Sequence, residues 1–492
     1  MRTSGRFDTR DAARWAVYAT LTPTTPRLGH ALAGSFLEQT GARDALSLAE
    51  HFRKGDVPEK ATRYLLVAAE QALEGADLVQ VLGHVERALG MNPDDATRGE
   101  LHYLASDAQF WSGNYQEAER HARAAVELLA PGSARWFMSI GALTSATGTL
   151  GKDQELIAWA ARAEAEAPTS EEARATRIVA LVRASHGHLK LGLNEAADSL
   201  IRHAEQAAGE LTKLTALGSA WVHHAKSARA YYDGDVARFI QEVELSIPAF
   251  DAAGDSRTGS NARANLGYAV LMAGDLPRAE RLLREAMVQC ERVGTHGIGH
   301  YVMHNLGLAL ALRGAVDEGL ELERRALHEA DTRKETLLLS ATHLYLALIL
   351  SMAGRHEEAV AEARAVRESG ASIPILRAQS HAAESAALLA LGRRSEALER
   401  ARDAMALLDE HGGTDETEGR VRAAWVEALL DQGEREAAAK AVALAVSRLE
   451  ARASRLDPAL ARCFRENLPE HARLYALASE LGVPLPAPDG EG

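Results

Sequence analysis

Apolar and polar residues recur along this chain with the spacing of amphipathic helices, and short polar turns separate the helical segments. Many of the turns contain a glycine that ends one segment just before the next begins. Ten such glycines lie 38 to 42 residues apart, at Gly75, Gly113, Gly151, Gly192, Gly234, Gly274, Gly314, Gly354, Gly392 and Gly433. The interval predicts a series of helix–turn–helix hairpins, because glycine can end a helix in the left-handed conformation.

Small residues recur at two fixed distances after these glycines. Five residues on, seven of the ten hairpins have Ala118, Ala197, Ala279, Gly319, Ala359, Ala397 or Ala438. Twelve residues on, seven have Ala125, Ala163, Ala204, Ala286, Ala326, Ala404 or Ala445. Small side chains let two antiparallel helices approach closely, so we expect these positions at the helix contacts. In three hairpins a larger residue takes the first small position: Gln80, Leu156 or Phe239.

Composition supports a purely helical fold. The chain has 492 residues, of which 96 are alanine and only 5% are aromatic, and alanine favours helix whereas sheets favour aromatic and β-branched residues. One hairpin cannot bury its own apolar face, so neighbouring hairpins must stack. The sequence therefore predicts an all-α array of about ten antiparallel hairpins with a period near 40 residues.

The repeat resembles the tetratricopeptide repeat in its Leu-Gly pair, its Gly-Asp turn and its two later alanines. These features are clearest in the stretch from Ala264 to Met287, ANLGYAVLMAGDLPRAERLLREAM. The resemblance extends over roughly residues 60 to 450. It implies that the stacked hairpins form a right-handed superhelical solenoid, which we place at residues 56–450.

Both ends of the chain resemble segments of bacterial signalling proteins. Residues 28–75, with Leu48, Ala49 and His51, are similar to the segment that joins a winged helix to the repeats in STAND-class ATPases. The segment Phe464–Gly482 is similar to the last segment of myxobacterial-type Ser/Thr kinases with ATPase and repeat regions. The resemblance implies a helical lead-in at residues 1–55, a C-terminal capping helix and tail at 451–492, and a sensor role. No kinase HRD–DFG pair or glycine-rich kinase loop occurs in the sequence.

Charge and cysteine content narrow the function classes. The formal net charge of −14 argues against nucleic acid and anionic membranes as partners. Two cysteines, Cys290 and Cys463, cannot build a disulfide framework or a structural zinc site, which favours a reducing compartment. No signal-peptide pattern and no apolar run of membrane-spanning length occurs in the sequence. We therefore expect a cytoplasmic protein.

The sequence predicts no catalytic residue, cofactor or metal. The stretch GTLGKD at Gly148–Asp153 lacks the spacer and hydroxyl residue of a phosphate-binding loop. His296, His300 and His304 recur every four residues, as metal ligands on one helical face can, but no further ligand accompanies them, and we favour packing roles. Cys290 is expected to be a small core residue.

The candidate site is the groove that the resemblance implies. In tetratricopeptide solenoids the first helix of each hairpin lines the concave face, at positions 13, 10, 6, 3 and 2 before the turn glycine. In this chain those positions give Trp221, His224, Tyr231, Tyr232, Asn261, Tyr268, Met272, Tyr301, His304 and Leu308. Two interpretations stand: the aromatic residues contact a ligand, or they fill a tight superhelical interior.

These observations predict a non-enzymatic repeat scaffold or effector sensor in signal transduction. Its partner would be a peptide segment, a protein such as a kinase or ATPase domain, or a small effector bound in the groove. One alternative is the regulatory C-terminal portion of a Ser/Thr kinase or STAND ATPase whose catalytic domains lie outside this chain. Another is a structural self-association module.

Overall fold

Helices and short turns make up the chain, as the alanine-rich amphipathic pattern predicts. The computed structural model describes residues 24–209, 211, 215–293, 296–333, 336–368, 374–411 and 415–485, and these residues contain 24 helices and no strand. The all-α prediction is confirmed. Parts of the predicted lead-in and tail, residues 1–23 and 486–492, lie outside the described residues.

The helices fall into ten hairpins with one flanking pair at each end. The pair before the hairpins is α1 (Thr24–Gln39) and α2 (Ala45–Lys54). The hairpins are α3 (Pro58–Glu74) with α4 (Leu78–Leu89), α5 (Asp95–Trp111) with α6 (Tyr115–Leu128), α7 (Ala134–Thr149) with α8 (Asp153–Ala165), α9 (Glu171–Lys190) with α10 (Asn194–Gly209), α11 (Ala216–Tyr232) with α12 (Val236–Ala253), α13 (Ser256–Met272) with α14 (Leu276–Val293), α15 (His296–Leu312) with α16 (Val316–Arg333), α17 (Thr336–Met352) with α18 (His356–Glu368), α19 (Pro374–Ala390) with α20 (Arg394–His411), and α21 (Asp415–Asp431) with α22 (Arg435–Ala453). The closing pair is α23 (Pro458–Glu466) and α24 (Pro469–Glu480).

The chain divides into two compact units, Met1–Ala180 and Leu181–Gly492. In the first unit, large apolar side chains from α5 and α7, including Leu101, Trp136 and Phe137, are completely buried. The second unit takes in the last ten residues of α9 and all later helices. Its C-terminal core joins α22, α23 and α24 through Leu449, Phe464 and Leu474.

Left-handed glycines form the turns of nine hairpins. Gly113, Gly234 and the other predicted turn glycines except Gly75 have φ between 68° and 93°. At Gly234 the glycine N–H donates to the carbonyl of Tyr231 at 3.1 Å, and the Asp235 N–H donates to that of Ala230 at 2.9 Å. Asp235 then caps α12 by accepting from the Arg238 N–H. One short sequence thus ends the first helix and starts the second.

The first hairpin places its left-handed residue one position later than the sequence predicts. Gly75 has φ −74°, and Ala76 is left-handed with φ 58°. Counted from Ala76, the residues five and twelve positions on are Val81 and Ala88, which are both completely buried. The one-residue displacement explains why Gln80, five residues after Gly75, is exposed.

The predicted small positions form the contact between the two helices of a hairpin. All thirteen alanines are at most 1% exposed. Gly319 is buried too, and a Cβ there would lie 2.6 Å from the carbonyl oxygen of Gly307 on the paired helix. A Cβ at Gly267 would likewise lie 2.7 Å from Leu283. The helices are therefore packed too closely for larger side chains at these points.

The first helices of successive hairpins also contact one another, which sets the layering of the second unit. Helix α13 contacts α15, α15 contacts α17, and α17 contacts α19. Among the described residues, the second helices of successive hairpins have no contact of similar extent. The first helices from α13 onward therefore form one layer, which we call the inner layer, and ring contacts join α11 to α13 and α9 to α11.

A long-range contact within the second unit joins its C-terminal helices to two earlier turns. We call it the C-terminal clasp and define it by Arg455, Cys463 and Asn467. The Asn467 side-chain amide donates to the carbonyl of Gly274 at 2.9 Å, and Arg455 forms an ion pair with Asp235 at 3.2 Å. A Cβ on Gly274 would lie within 2.8 Å of the carbonyl carbon of Cys463. The closeness of the two backbones requires glycine at this turn.

The displaced turn gives a stability prediction for the first unit. Ala76→Gly should raise the unfolding free energy by about 1 kcal/mol, because it removes the cost of a left-handed L-residue. Gly151→Ala should lower it by about 1 kcal/mol, since Gly151 has φ 68° and open space around its α-carbon. Thermal unfolding of both variants measures the two changes in stability. Destabilisation by Ala76→Gly would contradict the assignment of the turn.

The clasp gives a second prediction, with a matched control. Gly274→Ala and Gly354→Ala both place alanine at φ 77° or 73°, but only the first meets backbone atoms of another element. We expect the half-buried Cys463 thiol to react several-fold faster with Ellman's reagent in Gly274→Ala than in Gly354→Ala. Burial and then the charge of Asp275 raise the pKa of this thiol, and opening the clasp removes both effects.

Cys290 is 2% exposed and serves as an internal slow-reacting reference in that experiment. Equal Cys463 rates in the two variants would show that the contact does not protect the thiol.

Candidate functional site

The ten predicted groove residues differ in how far solvent can reach them. Five are buried: Trp221, His224, Met272, His304 and Leu308. Four are half-buried: Tyr231, Tyr232, Asn261 and Tyr268. Tyr301 is exposed, at 38% of its full accessible area. The accessible members are thus polar-tipped side chains on α11, α13 and α15.

Three tyrosines on adjacent first helices form a continuous surface, which we call the tyrosine cluster: Tyr231, Tyr232 and Tyr268. The Tyr231 ring lies edge-on to Tyr232 at 5.0 Å and to Tyr268 at 6.0 Å between centroids. Burial, and then Tyr231, raise the pKa of Tyr232, so its phenol stays a neutral hydrogen-bond donor. The cluster joins α11 to α13.

A second aromatic cluster surrounds Trp221. Residues 221 and 224 lie three apart on α11 and therefore share a face. The indole packs edge-on against His224 at 5.5 Å and against Phe250 of α12 at 5.7 Å. Burial lowers the pKa of His224 to about 4, with a further contribution from the Arg183 charge. His224 is therefore a neutral imidazole at pH 7, and its buried Nδ1 has no hydrogen-bond partner.

Helix α9 adds residues that the sequence analysis did not place in the groove. The Arg183 guanidinium lies 5.3 Å from the centre of the Trp221 ring, and the His186 ring packs against His224 at 4.8 Å. Lys190 is exposed one turn further along α9. His186 and Lys190 lie six and two residues before Gly192, so the same positional rule would have found them. Arg183 follows no such rule.

His304 belongs to a buried cluster of its own. Its ring stacks on Tyr345 of α17 at 3.8 Å, and its Nδ1 lies 3.1 Å from a carboxylate oxygen of Glu323 on α16. Burial raises the pKa of Glu323, while His304 opposes this. The second carboxylate oxygen fills the space left by Gly307, where a Cβ would approach it to 2.8 Å. This cluster connects three helices of the array.

The remaining residues that the sequence offers for metal, phosphate or thiol chemistry lie in surroundings that indicate structural roles. His300 is buried and pairs with Glu329, and the side chain of His296 lies outside the described residues. No group of three His, Cys, Asp or Glu side chains in the described ranges could hold a metal ion. Gly148–Asp153 spans the end of α7, the turn and the first residue of α8, and Cys290 is buried.

None of the helices between residues 24 and 485, over the described ranges, combines the length and apolar character needed to cross a membrane.

Comparison with known proteins reveals similarity in fold. No family model matches the sequence, and no curated protein matches it. Among solved structures, a Rap protein complexed with competence and sporulation factor matches with a TM-score of 0.50 and 11% identity, over 79% of this chain and 99% of the other. A STAND protein with a tetratricopeptide repeat sensor from Pyrococcus horikoshii matches at 0.41 and 10%, over 78% and 53%. The anaphase-promoting complex assembly Cut9–Hcn1 matches at 0.42 and 14%, over 92% of each chain.

The hairpin geometry and the similarity to the Rap protein structure agree on the architecture. The chain is an all-α, tetratricopeptide-like repeat array. The similarity extends to the fold only, since sequence identity is low.

The neutral state of His224 predicts a pH dependence of stability. Its folded pKa is near 4, below the ordinary value of 6.5, so the unfolded chain takes up a proton first as the pH falls. We expect the unfolding free energy to decrease between pH 6.5 and 4, with His224 contributing at most about 3 kcal/mol. His224→Phe should flatten this part of the profile.

Urea unfolding at several pH values measures the effect, with His328→Gln on the exposed face of α16 as the control for loss of one imidazole. An unchanged slope in His224→Phe would contradict the buried neutral imidazole.

Proposed function

We propose that this chain is a non-enzymatic interaction module that binds a peptide segment of a protein partner along the first helices of its second unit. The observation behind the proposal is the run of accessible tyrosines, from Tyr231 and Tyr232 through Tyr268 to Tyr301. These tyrosines lie on α11, α13 and α15, the first helices of three successive hairpins, so an extended ligand can contact one helix after another. An effector-sensing role in cytoplasmic signal transduction is part of the proposal.

Tyrosine suits this task for physical reasons. A tyrosine ring offers a large apolar surface with a polar tip and loses little conformational freedom when it is bound. The clustered rings of Tyr231 and Tyr268 are already fixed against each other, which lowers the entropic cost of binding.

Burial separates the two interpretations of the aromatic residues. Trp221 and His224 pack in the interior of the array, and His304 pairs with a buried glutamate. These three fit the interpretation that aromatics fill a tight interior. The tyrosines that solvent reaches fit ligand contact. The proposed binding surface is therefore narrower than the ten predicted positions.

The fold comparison gives support of a general kind. The Rap protein structure, which matches this chain over most of its length, contains competence and sporulation factor. A fold of this type therefore accommodates a ligand in at least one other protein. We infer a peptide ligand here from the tyrosine surface itself.

A phage-displayed peptide library selected against the intact protein tests the proposal. We expect selection to converge on a recognisable sequence, whose affinity falls about ten-fold or more in Tyr268→Ala, since a central aromatic contact contributes on the order of 2 kcal/mol. Circular dichroism and thermal unfolding should show that the variant is folded.

The control is Val288→Ala on α14, the second helix of its hairpin, where the side chain is 65% exposed and outside the predicted groove positions. Its affinity should match that of the unaltered protein. Failure of the library to converge, or equal binding by Tyr268→Ala, would refute the proposed surface.

A further inference from the structure

Four nitrogen-bearing side chains converge on the inner layer of the second unit: Arg183, His186 and Lys190 on α9 and His224 on α11. The three on α9 lie at intervals of three and four residues, which places them along one face of the helix. The ring of His186 lies 4.8 Å from that of His224, and Arg183 covers the neighbouring Trp221. We call this group the α9 basic cluster.

Lys190 is the accessible cation of the α9 basic cluster. It is exposed, yet among the described residues it has neither an ion pair nor a hydrogen bond. Basic residues nearby on α11 do have acidic partners: Lys226 pairs with Glu205 at 2.8 Å and Arg229 with Asp198 at 2.7 Å. Lys190 thus differs from these two neighbours in lacking an acidic partner, and partial burial lowers its pKa.

The two histidines have unused hydrogen-bonding capacity. Nε2 of His186 and Nδ1 of His224 are buried atoms without hydrogen-bond partners. Leaving a buried polar atom without a partner costs free energy, and both nitrogens lie below the surface that a ligand contacts. Burial lowers the pKa of His186 most, and His224, Lys190 and Arg183 lower it further.

Arg183 is held in position by its aromatic neighbour. Its guanidinium lies over the face of the nearly buried Trp221, an arrangement that is attractive for a cation on an indole. A guanidinium fixed in this way loses less freedom when it binds a carboxylate.

We propose that the α9 basic cluster is a binding site for a carboxylate carried by an acidic residue of the peptide ligand. The inference rests on the proposed function, because it assigns a chemical preference to that same inner layer. A carboxylate accepts hydrogen bonds from a guanidinium and an ammonium, whereas the two imidazoles lie beneath these groups in the interior. The chain carries a net charge of −14, so an acidic ligand is repelled by much of the surface and attracted to this cluster.

Two end-blocked peptides, hexaglutamate and hexaglutamine, serve as probes in isothermal titration calorimetry on the intact chain. We expect hexaglutamate to bind and hexaglutamine to give no heat of binding. Lys190→Gln should weaken hexaglutamate by about five-fold or more, because it removes an unpaired charge at the site. Lys226→Gln makes the same change in charge at an ion-paired lysine and should change the affinity by less than about two-fold.

Lys190 is exposed, so its replacement should leave the thermal unfolding of the protein unchanged. Absence of hexaglutamate binding, or equal weakening by both lysine variants, would overturn the proposal. Inorganic phosphate is titrated in parallel. If phosphate binds more tightly than hexaglutamate, the site prefers a phosphate group, and the assignment to a carboxylate is refuted.

The library selection separates this inference from the proposed function. Convergence on uncharged sequences that still require Tyr268 would refute the carboxylate site and leave the peptide-binding module intact. Convergence on acidic sequences that lose affinity in Lys190→Gln would support both.

Discussion

The structure depends on how closely the two helices of each hairpin approach each other. A left-handed residue reverses the chain, and small residues five and twelve positions later let the helices pack without a gap, as Ala279 and Ala286 do after Gly274. The consequence is visible at Gly307, whose missing side chain leaves room for the buried carboxylate of Glu323. From α13 onward each hairpin stacks its first helix on the next, and the two proposed binding surfaces lie on α9, α11, α13 and α15, the first helices that precede and begin this stack.

The sequence predicts the array well because its signals are local. A turn glycine and two small residues act within one hairpin, and nine of ten turns follow the prediction. At Gly75 the prediction misses by one residue, since the hydrogen bonds from Ala76 and Asp77 to the end of α3 hold a non-glycine residue in the left-handed conformation. Local sequence preference favours glycine there, but the left-handed residue is Ala76, and Val81 is completely buried five residues later.

The candidate site is harder to predict, because the position of a residue within the repeat does not determine how deeply its side chain is buried. Trp221 and Tyr301 hold the same position in their repeats, yet one is buried and the other exposed. The difference comes from tertiary neighbours: Phe250 and Arg183 cover the indole. The contact of Arg183 with Trp221 joins residues 38 positions apart and cannot be seen in a repeat pattern. Such cross-helix contacts determine which side chains a ligand can reach.

The C-terminal clasp distinguishes the second unit from an open repeat array. In an open repeat array each hairpin interacts only with its neighbours, so the ends can fray while the middle stays folded. Asn467 contacts Gly274 across 193 residues of chain, and Arg455 contacts Asp235 across 220. These contacts connect the last helices back to earlier turns. Unfolding of one hairpin between these points therefore also breaks the C-terminal clasp. Hairpins connected in this way have no free end from which unfolding can begin. They should therefore unfold together in one cooperative transition and not one after another.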